Sequence, residues 1–421
     1  MERLKEYEVR KAKSVEKSQV LDLRVKAFLP LQLKGISPDS LRKRFERNQR
    51  LPWFKYYDTQ WVGVLSGKII SSLHLFTREI RIGRCPILVG DIGAVCTDPN
   101  YQKLGYGSEL TRKVMLWMEK ESYNMSVIFA DVPEFYQKLG WENFPLRCMT
   151  TIIKEGLNIP VSHLYKYYIA HKGDFFKIVA LYNEHRSMST GSTVRDTTYW
   201  DRYFDWVIQE NNVLLIMEVK QEPKAFVRLA KEGKDRLKIL ELCYPKDNNE
   251  ILLAILQGIV HYTISKKRHI IDVDFLSFNH PFVQSFAKLG FEVEFPENIT
   301  TRVMIWLINL DSLFIKITPV LEERLRHSSF CRWKGAVTIQ SDTKIINFLI
   351  RDSTIRVNNE RQDGILLPFL KKDLIGLILG DTVPRSLDTL TQLSLTEEEI
   401  QLIEVLFPKQ EPIHWPVFEH Y

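Results

Sequence analysis

The sequence lacks the features that mark several classes of protein. Its five cysteines are widely spaced and form no CxxC pair, which argues against both a disulfide framework and a zinc site. The longest apolar runs, such as residues 252–260, stop well short of the roughly 20 residues that a membrane span requires. No apolar segment follows the charged start MERLKEYEVRKAK, so we expect neither a signal peptide nor an anchor, and a cytoplasmic location.

Motifs of other common chemistries are missing as well. The ten histidines include no HExxH or HxH spacing, and no GxSxG elbow occurs, so we expect neither a metal site nor a serine hydrolase. A net charge of +6 is mild for 421 residues. The most basic stretch, LRKRFERNQR at 41–50, is either a solvated helix face or a patch for an acidic partner. Nucleic acid is therefore not expected as a partner.

The sequence contains enough apolar residues to form a large core. With 45% hydrophobic and 11% aromatic residues over 421 positions, it predicts two to four globular domains.

One stretch has the pattern of strand, glycine loop and helix. The β-branched run ILVGDIGAVCTDP (87–99) predicts a buried strand, and SELTRKVMLWMEKE (108–121) predicts an amphipathic helix. Between them lies YQKLGYGS, in which Gly105 and Gly107 leave room for an anion at the N–H groups of the helix start. The loop either binds an anion or is an ordinary tight turn. It fits neither GxxxxGK[ST] nor GxGxxG, which argues against a nucleotide P-loop and a dinucleotide fold.

The loop resembles that of a known family. QKLGYG (102–107) fits the Q/RxxGxG/A signature of GNAT acetyltransferases, in the family's place between a strand and a helix. The resemblance implies that acetyl-coenzyme A is the acetyl donor and that the strand backbone at Val95, Cys96 and Thr97 pairs with its pantetheine arm. It also implies that the pyrophosphate is held by the backbone amides of Gln102, Lys103, Gly105, Tyr106, Gly107 and Ser108.

The segment MSVIFADVPEFYQKLGWENF (125–144) carries a second family landmark. GNAT enzymes commonly have a tyrosine at the position of Tyr136, where a phenol can protonate the departing thiolate. Tyr136 is therefore the candidate general acid, and a purely packing role for this aromatic residue is the alternative. Direct transfer to an amine needs no covalent intermediate, so Cys96 is interpreted as a buried strand thiol and not as a nucleophile.

A short internal repeat predicts a second domain of the same kind. FYQKLGWE (135–142) is echoed by SFAKLGFE (285–292), and LKILELCYP followed by a helical pattern precedes the second copy. That copy has Phe286 at the position of Tyr136, and its joining segment PKDNNE contains no glycine. We therefore expect a degenerate GNAT domain and one active site per chain, with chance similarity as the alternative.

The last third predicts a separate α+β domain. Three strand patterns between 334 and 359 precede two helical patterns, at 366–379 and 397–408. The order resembles the sterol-carrier-protein-like domain that closes Eis-type acetyltransferases. The resemblance thus implies an α+β chain with mixed sheets: a catalytic GNAT domain (1–152), a degenerate GNAT domain (153–310) and a sterol-carrier-protein-like domain (311–421). It also implies a homo-oligomer, as Eis-type proteins are often hexamers.

The same resemblance suggests the catalytic base. In Eis enzymes the terminal carboxylate reaches the cleft, so the carboxylate of Tyr421 is the candidate base, with Glu419 and His420 as the nearest substitutes. A frayed or merely packed terminus is the alternative. The expected function is acetyl transfer to a primary amine of an aminoglycoside, a polyamine or a lysine side chain of a protein. A coenzyme A-sensing or lipid-binding scaffold is the alternative function.

Overall fold

The computed structural model describes residues 6–31, 37–48, 59–154, 164–210, 212–245, 248–277, 280–295 and 303–410. The strands in these ranges are β1 (Tyr7–Lys11), β2 (Thr59–Leu65), β3 (Lys68–Ile82), β4 (Cys85–Thr97), β5 (Met125–Phe129), β6 (Glu142–Asn143), β7 (Leu146–Ile152), β8 (Lys166–Ile169), β9 (Val213–Val219), β10 (Glu222–Glu232), β11 (Arg236–Cys243), β12 (Ile270–Ser277), β13 (Val293–Glu294), β14 (Val303–Leu307), β15 (Lys334–Ser341), β16 (Lys344–Arg351), β17 (Thr354–Asn358) and β18 (Ile365–Pro368). The helices are α1 (Lys17–Phe28), α2 (Pro38–Asn48), α3 (Tyr106–Lys120), α4 (Pro133–Gln137), α5 (Phe175–Arg186), α6 (Thr197–Gln209), α7 (Asn249–Ser265), α8 (Pro281–Lys288), α9 (Leu310–Arg326), α10 (Lys371–Leu379), α11 (Asp388–Thr391) and α12 (Glu397–Leu406). None of these helices is long and apolar enough to cross a membrane.

Two seven-stranded mixed sheets share one order of strands. The first runs β1-β2-β3-β4-β5-β14-β6, and the second runs β8-β9-β10-β11-β12-β7-β13. In each sheet the third and fourth strands are antiparallel and the fourth and fifth are parallel. In each, two helices follow the first strand along the chain, one long helix joins the fourth and fifth strands, and one short helix follows the fifth. The chain therefore contains the same α/β arrangement twice, which agrees with the predicted mixed fold.

The short sequence repeat marks the same local structure in both halves. Gly140 and Gly290 have positive φ angles of 103° and 82°, so each turns the chain sharply after its short helix. The N–H of Trp141 donates to the carbonyl of Tyr136 at 3.1 Å, and the N–H of Phe291 donates to that of Phe286 at 3.1 Å. KLGW and KLGF thus close α4 and α8 in the same way.

The two sheets exchange one strand each. β7 precedes the second half of the chain along the sequence, yet it lies between β12 and β13 of the second sheet. β14, at the end of that half, lies between β5 and β6 of the first sheet, where Ile305 is opposite Val127. The predicted domain limits at 152 and 310 stay a prediction. Each half nevertheless completes its sheet with a strand from the other side of those limits.

A four-stranded sheet in the order β17-β16-β15-β18 forms the last part of the fold. The predicted helix at 366–379 is wrong in its first residues, because 365–368 form β18, which pairs parallel with β15. Ile365 and Leu367 alternate into the core, and Pro368 has no N–H to continue a helix from this segment. Helix α10 begins only at Lys371.

One face of the first sheet is covered by the last part of the chain. Ile87 and Val89 of β4 belong to the same buried core as Ile317 and Leu321 of α9, and that core continues into the four-stranded sheet. The other face packs against α3, where Leu110 is fully buried. These two layers leave the C-terminal ends of β4 and β5 as the place where a site can open.

The strand exchange predicts that the first half does not fold by itself. A fragment that ends at residue 152 lacks β14, so β6 loses its strand partner and β5 becomes an unpaired apolar edge. We expect no cooperative unfolding transition for this fragment in urea, monitored by circular dichroism.

The same expectation can be checked in the full chain. Ile305→Ala should lower the free energy of unfolding by about 3 kcal/mol, because the side chain is fully buried in β14. The control Ile315→Ala, at a residue that is 59% exposed on α9, should change it by less than about 0.5 kcal/mol. A fragment that unfolds cooperatively, or equal effects of the two substitutions, would contradict the structural role of β14.

Candidate active site

A cleft opens where β4 and β5 diverge. The two strands pair in parallel only from Val89 to Ile92 of β4, opposite Met125 to Ile128 of β5. Just beyond, β4 contains a bulge: Ser72 of β3 pairs with Cys96, and His74 pairs with Gly93, so β4 carries one extra residue. Ala94 within the bulge has a φ of +49°. The bulge turns the last residues of β4 away from β5, and a cleft of about 310 Å³ lies between them.

The N-terminus of α3 forms one end of this cleft. Its N-cap residue, Gly105, has a φ of +91° and provides no side chain to bond the first N–H groups of the helix. Helix α7, which has the corresponding place in the second sheet, does have a side-chain cap. There the side chain of Asn248 accepts from the N–H of Ile251 at 3.0 Å. The first turn of α3 therefore keeps N–H donors and the positive end of the helix dipole for an anion.

Buried tyrosines hold the start of α3 in place. The hydroxyl of Tyr7 lies 2.5 Å from the Oγ of Ser71 and donates to the carbonyl of Tyr106 at 3.1 Å. Burial raises the pKa of Tyr7 to about 12, so this hydroxyl stays protonated. A Cβ on Gly107 would lie 3.1 Å from the Oγ1 of Thr97, so glycine allows α3 to approach β4 closely. Helix and strand together form a rigid corner of the cleft.

The phenol of Tyr136 lies at the wall on the side of β5. Tyr136 is in α4, is 8% exposed, and packs edge-on against Phe135 and Trp141 at ring distances of 4.8 and 6.0 Å. Burial raises its pKa above the ordinary value, and the negative charges of Asp131 and of an ionised Cys96 act in the same direction. Tyr136 is therefore protonated throughout the neutral pH range.

Cys96 lines the cleft at the end of β4 but has the properties of a core thiol. Its Sγ lies 3.4 Å from the Oγ of Ser72, and burial raises its pKa. Behind it, the buried guanidinium of Arg24 donates to the side chain of Gln60 at 2.5 Å. Four of the five cysteines are buried and Cys331 is exposed. Within the described ranges, no group of three or more His, Cys, Asp or Glu side chains is placed to hold a metal ion.

The structure brings together most of the residues predicted for the site. Val95, Cys96, Thr97, Gln102 and Gly107 line the cleft together with Tyr136. Lys103, Gly105, Tyr106 and Ser108 lie in the adjoining loop and first helical turn. Tyr421, Glu419 and His420 lie outside the described residues.

Sequence reasoning missed several residues of the wall. Ala27 and Phe28 reach it from the end of α1, and Asp131 and Phe135 reach it from the segment after β5. No motif marks the end of α1, because its place beside β4 results from tertiary packing. The sequence signal for Asp131 is its place in the segment 125–144, which also carries Tyr136.

In the second sheet, a side-chain hydrogen bond bridges the equivalent place. β11 and β12 also pair over only four residues and then diverge, next to a bulge opposite Arg228 and Leu229. There, the hydroxyl of Tyr244 lies 3.4 Å from the Nε2 of His280, so a buried hydrogen bond joins the segments that follow the two strands. Fully buried Phe286 stands at the position of Tyr136.

Asp98 connects three segments beside the cleft. Its carboxylate accepts from the Nζ of Lys26 at 2.8 and 2.9 Å and from the N–H of Asn100 at 3.0 Å. Its own N–H donates to the carbonyl of Ile70 in β3 at 2.8 Å. Burial alone would raise its pKa, but the hydrogen bonds from Lys26 and Asn100 outweigh burial and hold the pKa below the ordinary value. Asp98 thus fixes the end of α1 to the start of the glycine loop.

Asp98→Asn should reveal this connection as a pH-dependent loss of stability. Because the folded-state pKa is lowered, the stabilisation is present above the unfolded pKa of about 3.9 and is lost as the pH falls through the folded value. We expect the variant to be less stable by about 1 kcal/mol at pH 7 and by much less at pH 3, measured by urea unfolding. The control Asp352→Asn, in an exposed pair with Lys334 at 3.5 Å, should have little effect at either pH. Equal losses for Asp98→Asn at both pH values would refute the ionic contribution.

Comparisons with known proteins agree with this geometry. Over nearly the whole chain, the fold is similar to crystal structures of three bacterial proteins. A conserved protein of unknown function from Enterococcus faecalis, described as a probable N-acyltransferase, has a TM-score of 0.72 and 15% identity over 97% of this chain and 98% of that one. A GCN5-related N-acetyltransferase from Anabaena variabilis has a TM-score of 0.69 and 14% identity over 96% and 98%. Eis1 from Mycobacterium abscessus has a TM-score of 0.63 and 12% identity over 97% and 98%.

At these identities the likeness concerns the fold alone. No match is found among curated protein sequences. A family profile, the acetyltransferase (GNAT) domain, matches residues 8–144, which include the glycine loop, the diverging strands and Tyr136. The chain therefore contains a GNAT acetyltransferase domain within residues 8–144, in agreement with the predicted enzyme class of acyltransferase.

Proposed function

We propose that the protein is an N-acetyltransferase that moves the acetyl group of acetyl-coenzyme A to a primary amine by direct attack. The main support for this proposal is that one continuous cleft joins two features. It runs from the N-terminus of α3, which has no side-chain cap, to the protonated phenol of Tyr136. An anion-binding end and a proton donor in one cleft fit a substrate that carries phosphates at one end and a reactive thioester at the other.

The chain's own groups fit the donor in three places. The amides at Gln102, Lys103, Gly105, Tyr106, Gly107 and Ser108 would hold its pyrophosphate. Val95–Thr97 extends beyond the paired part of β4 and β5, so its backbone groups on the side of β5 can bond a pantetheine arm. The bulge at Ala94 changes the direction of the local backbone, and its N–H groups can then polarise the carbonyl of the thioester. When bound, acetyl-coenzyme A supplies the acetyl group as a thioester.

Tyr136 acts on the leaving sulfur in this proposal. The nitrogen of the neutral amine bonds to the carbonyl carbon, the carbon–sulfur bond breaks, and the hydroxyl of Tyr136 gives its proton to the thiolate. The nitrogen loses one proton as the amide forms, and that proton, directly or through water, balances the one that Tyr136 has given up. Its raised pKa ensures that the proton is present when the bond breaks. The same raised pKa also makes a free phenolate unfavourable, so Tyr136 must be reprotonated in each turnover.

A separate proton transfer prepares the acceptor amine for attack. An alkyl amine of pKa ~10 is mostly protonated at neutral pH and must lose a proton before it can attack. We propose the terminal carboxylate of Tyr421 as the base, directly or through water, with Glu419 and His420 as the nearest substitutes. The acceptor is a small molecule such as an aminoglycoside or a polyamine, or a lysine side chain of a protein. This part of the proposal rests on the resemblance to Eis enzymes and on their shared fold.

The rest of the chain has a supporting role in the proposal. The hydrogen bond between Tyr244 and His280 and the buried Phe286 at the position of Tyr136 support a degenerate GNAT domain and one active site per chain. The same proposal includes three further expectations. The last domain is sterol-carrier-protein-like, the location is cytoplasmic, and the chain assembles into a homo-oligomer such as a hexamer. A coenzyme A-sensing or lipid-binding scaffold is the alternative. It predicts thermal stabilisation by coenzyme A or by acyl chains, with no acetyl transfer.

Tyr136→Phe tests the proton donor. We expect turnover to fall by about 100-fold, because a positioned general acid contributes at least that much, while the KM for acetyl-coenzyme A changes by less than about twofold. The rate of coenzyme A release with a panel of amines gives both values. Tyr262→Phe, which removes a tyrosine hydroxyl from α7 far from the cleft, is the matched control. An unchanged rate for Tyr136→Phe would remove the residue from the mechanism.

Deletion of Tyr421 tests the base. If the terminal carboxylate takes the proton of the amine, the shortened chain should lose at least about tenfold in turnover near neutral pH and recover part of it at high pH, where the amine is already neutral. Binding of acetyl-coenzyme A, followed by thermal shift, should be unchanged. A full rate in the shortened chain would exclude the terminal carboxylate as the base.

A further inference from the structure

One arginine is buried between α1 and the first sheet. Arg24 lies in α1 and is 3% exposed. One terminal nitrogen of its guanidinium donates to the side-chain oxygen of Gln60 in β2 at 2.5 Å. Within the described ranges, its buried Nε has no hydrogen-bond partner and no carboxylate pairs with the guanidinium. Burial lowers the pKa of Arg24, but an arginine keeps its charge at neutral pH. A positive charge is therefore buried here beside a neutral amide.

The packing of α1 places Arg24 beside the end of β4. Val20, Leu23 and Ala27 of α1 belong to the same buried cluster as Cys96 of β4. Arg24 shares a helix face with Val20 and Ala27, because the three residues are spaced by four and by three positions. Ala27 and Cys96 also line the cleft together. The face of α1 that carries Arg24 is thus the face that contacts the last residues of β4.

The register of the sheet gives the same location from the other side. Gln60, which holds the guanidinium, is opposite His74 of β3, and His74 is opposite Gly93 of β4. Residues that are opposite each other point to the same face of a sheet, and two strand spacings amount to ~10 Å. Gly93 lines the cleft and directly precedes Ala94 in the bulge. The guanidinium therefore lies on the row of residues that leads to the bulge.

The neighbouring ionisable groups do not cancel the charge of Arg24. Burial raises the pKa of the Cys96 thiol, so it carries no negative charge at pH 7. Burial also lowers the pKa of His74 well below the ordinary value, and the charge of Arg24 acts in the same direction, so His74 is neutral. Asp98, at the end of β4, is paired with Lys26 at 2.8 Å. A buried charge is screened much less than an exposed one, so Arg24 contributes a positive potential at the bulge.

The proposed reaction develops negative charge at this bulge. As the amine nitrogen bonds to the carbonyl carbon, negative charge forms on the thioester oxygen, next to the N–H groups at Ala94. A fixed positive charge stabilises this transition state more than the neutral thioester, so it accelerates the reaction and does not merely tighten binding. The charge is already in place before the reaction and requires no rearrangement of water.

We propose that Arg24 is a positioning residue of the acetyl transfer: without touching either substrate, its buried charge raises the positive potential at the bulge of β4 and so stabilises the negative charge on the thioester oxygen. This inference rests on the proposed function, because it concerns the same reaction. It gives a reason for burying a charge without an acidic partner, an arrangement that lowers the stability of the fold.

The test separates the charge of Arg24 from its shape. Full-length wild type, Arg24→Gln and Arg24→Lys are assayed for coenzyme A release with an amine that the wild type accepts. Arg24→Gln removes the charge and keeps an amide N–H for Gln60. We expect it to lower turnover about tenfold and to change the KM for acetyl-coenzyme A by less than about twofold. Arg24→Lys keeps the charge and should retain most of the turnover. The control Arg326→Gln removes an exposed arginine from the last turn of α9 and should change turnover by less than about twofold.

Two further measurements exclude a merely structural role. Arg24→Gln should be at least as stable in urea as the wild type, because it removes a buried charge that has no carboxylate partner. Infrared spectra of bound acetyl-coenzyme A, labelled with carbon-13 at the carbonyl, report the polarisation of the thioester directly. A less polarised carbonyl absorbs at higher frequency, so the band should move upward in Arg24→Gln and return in Arg24→Lys.

The possible failures are distinguishable. Full turnover in Arg24→Gln, equal losses in Arg24→Gln and Arg24→Lys, or a carbonyl band that does not depend on Arg24 would overturn the role of the charge. Loss of folding in Arg24→Gln would also overturn it, because the residue would then serve stability. A wild type that binds acetyl-coenzyme A and acetylates no amine would instead overturn the proposed function, and this inference with it.

Discussion

The exchange of β7 and β14 is the constraint on which the rest of the structure depends. β14 completes the first sheet between β5 and β6, and it brings Trp306 to a ring distance of 5.2 Å from Trp141. Trp141 in turn packs against Tyr136 and bonds to its carbonyl. The position of the candidate proton donor is therefore fixed by a strand that lies more than 150 residues further along the chain. The second half of the protein thus supports the candidate site of the first half.

The two halves show how a small number of residues decides whether a diverging pair of strands forms a site. Both pairs separate after four paired residues, and both have a bulge nearby. In the second half, Tyr244 and His280 bond across the gap, and the side chain of Asn248 accepts from the N–H of Ile251 in the first turn of α7. In the first half, Gly105 provides no side chain to bond the first N–H groups of α3. The backbone geometry is shared, and the side chains at these few positions determine the chemistry.

Local patterns predicted the elements near the site, but long-range pairing could not be read from the sequence. The glycine loop, α3, Tyr136 and the repeat at Gly140 and Gly290 depend on contacts within a few residues, which leave a pattern in the sequence. The place of β14 does not, because RVMIWLINL is an apolar strand pattern that fits either sheet. β18 was misjudged for the same reason: apolar residues around Pro368 can continue a helix or join a sheet, and pairing with β15 decides.

The electrostatics of the cleft serve the proposed reaction at two points. The first turn of α3 carries the positive end of a helix dipole and has no side-chain cap, so it can receive an anion. At the wall, burial and the charge of Asp131 both raise the pKa of Tyr136, so the phenol keeps its proton until the carbon–sulfur bond breaks. In the proposed reaction the donor is therefore held at one end of the cleft and protonated at the other, and this division of roles follows from the glycine at the start of α3 and the burial of Tyr136.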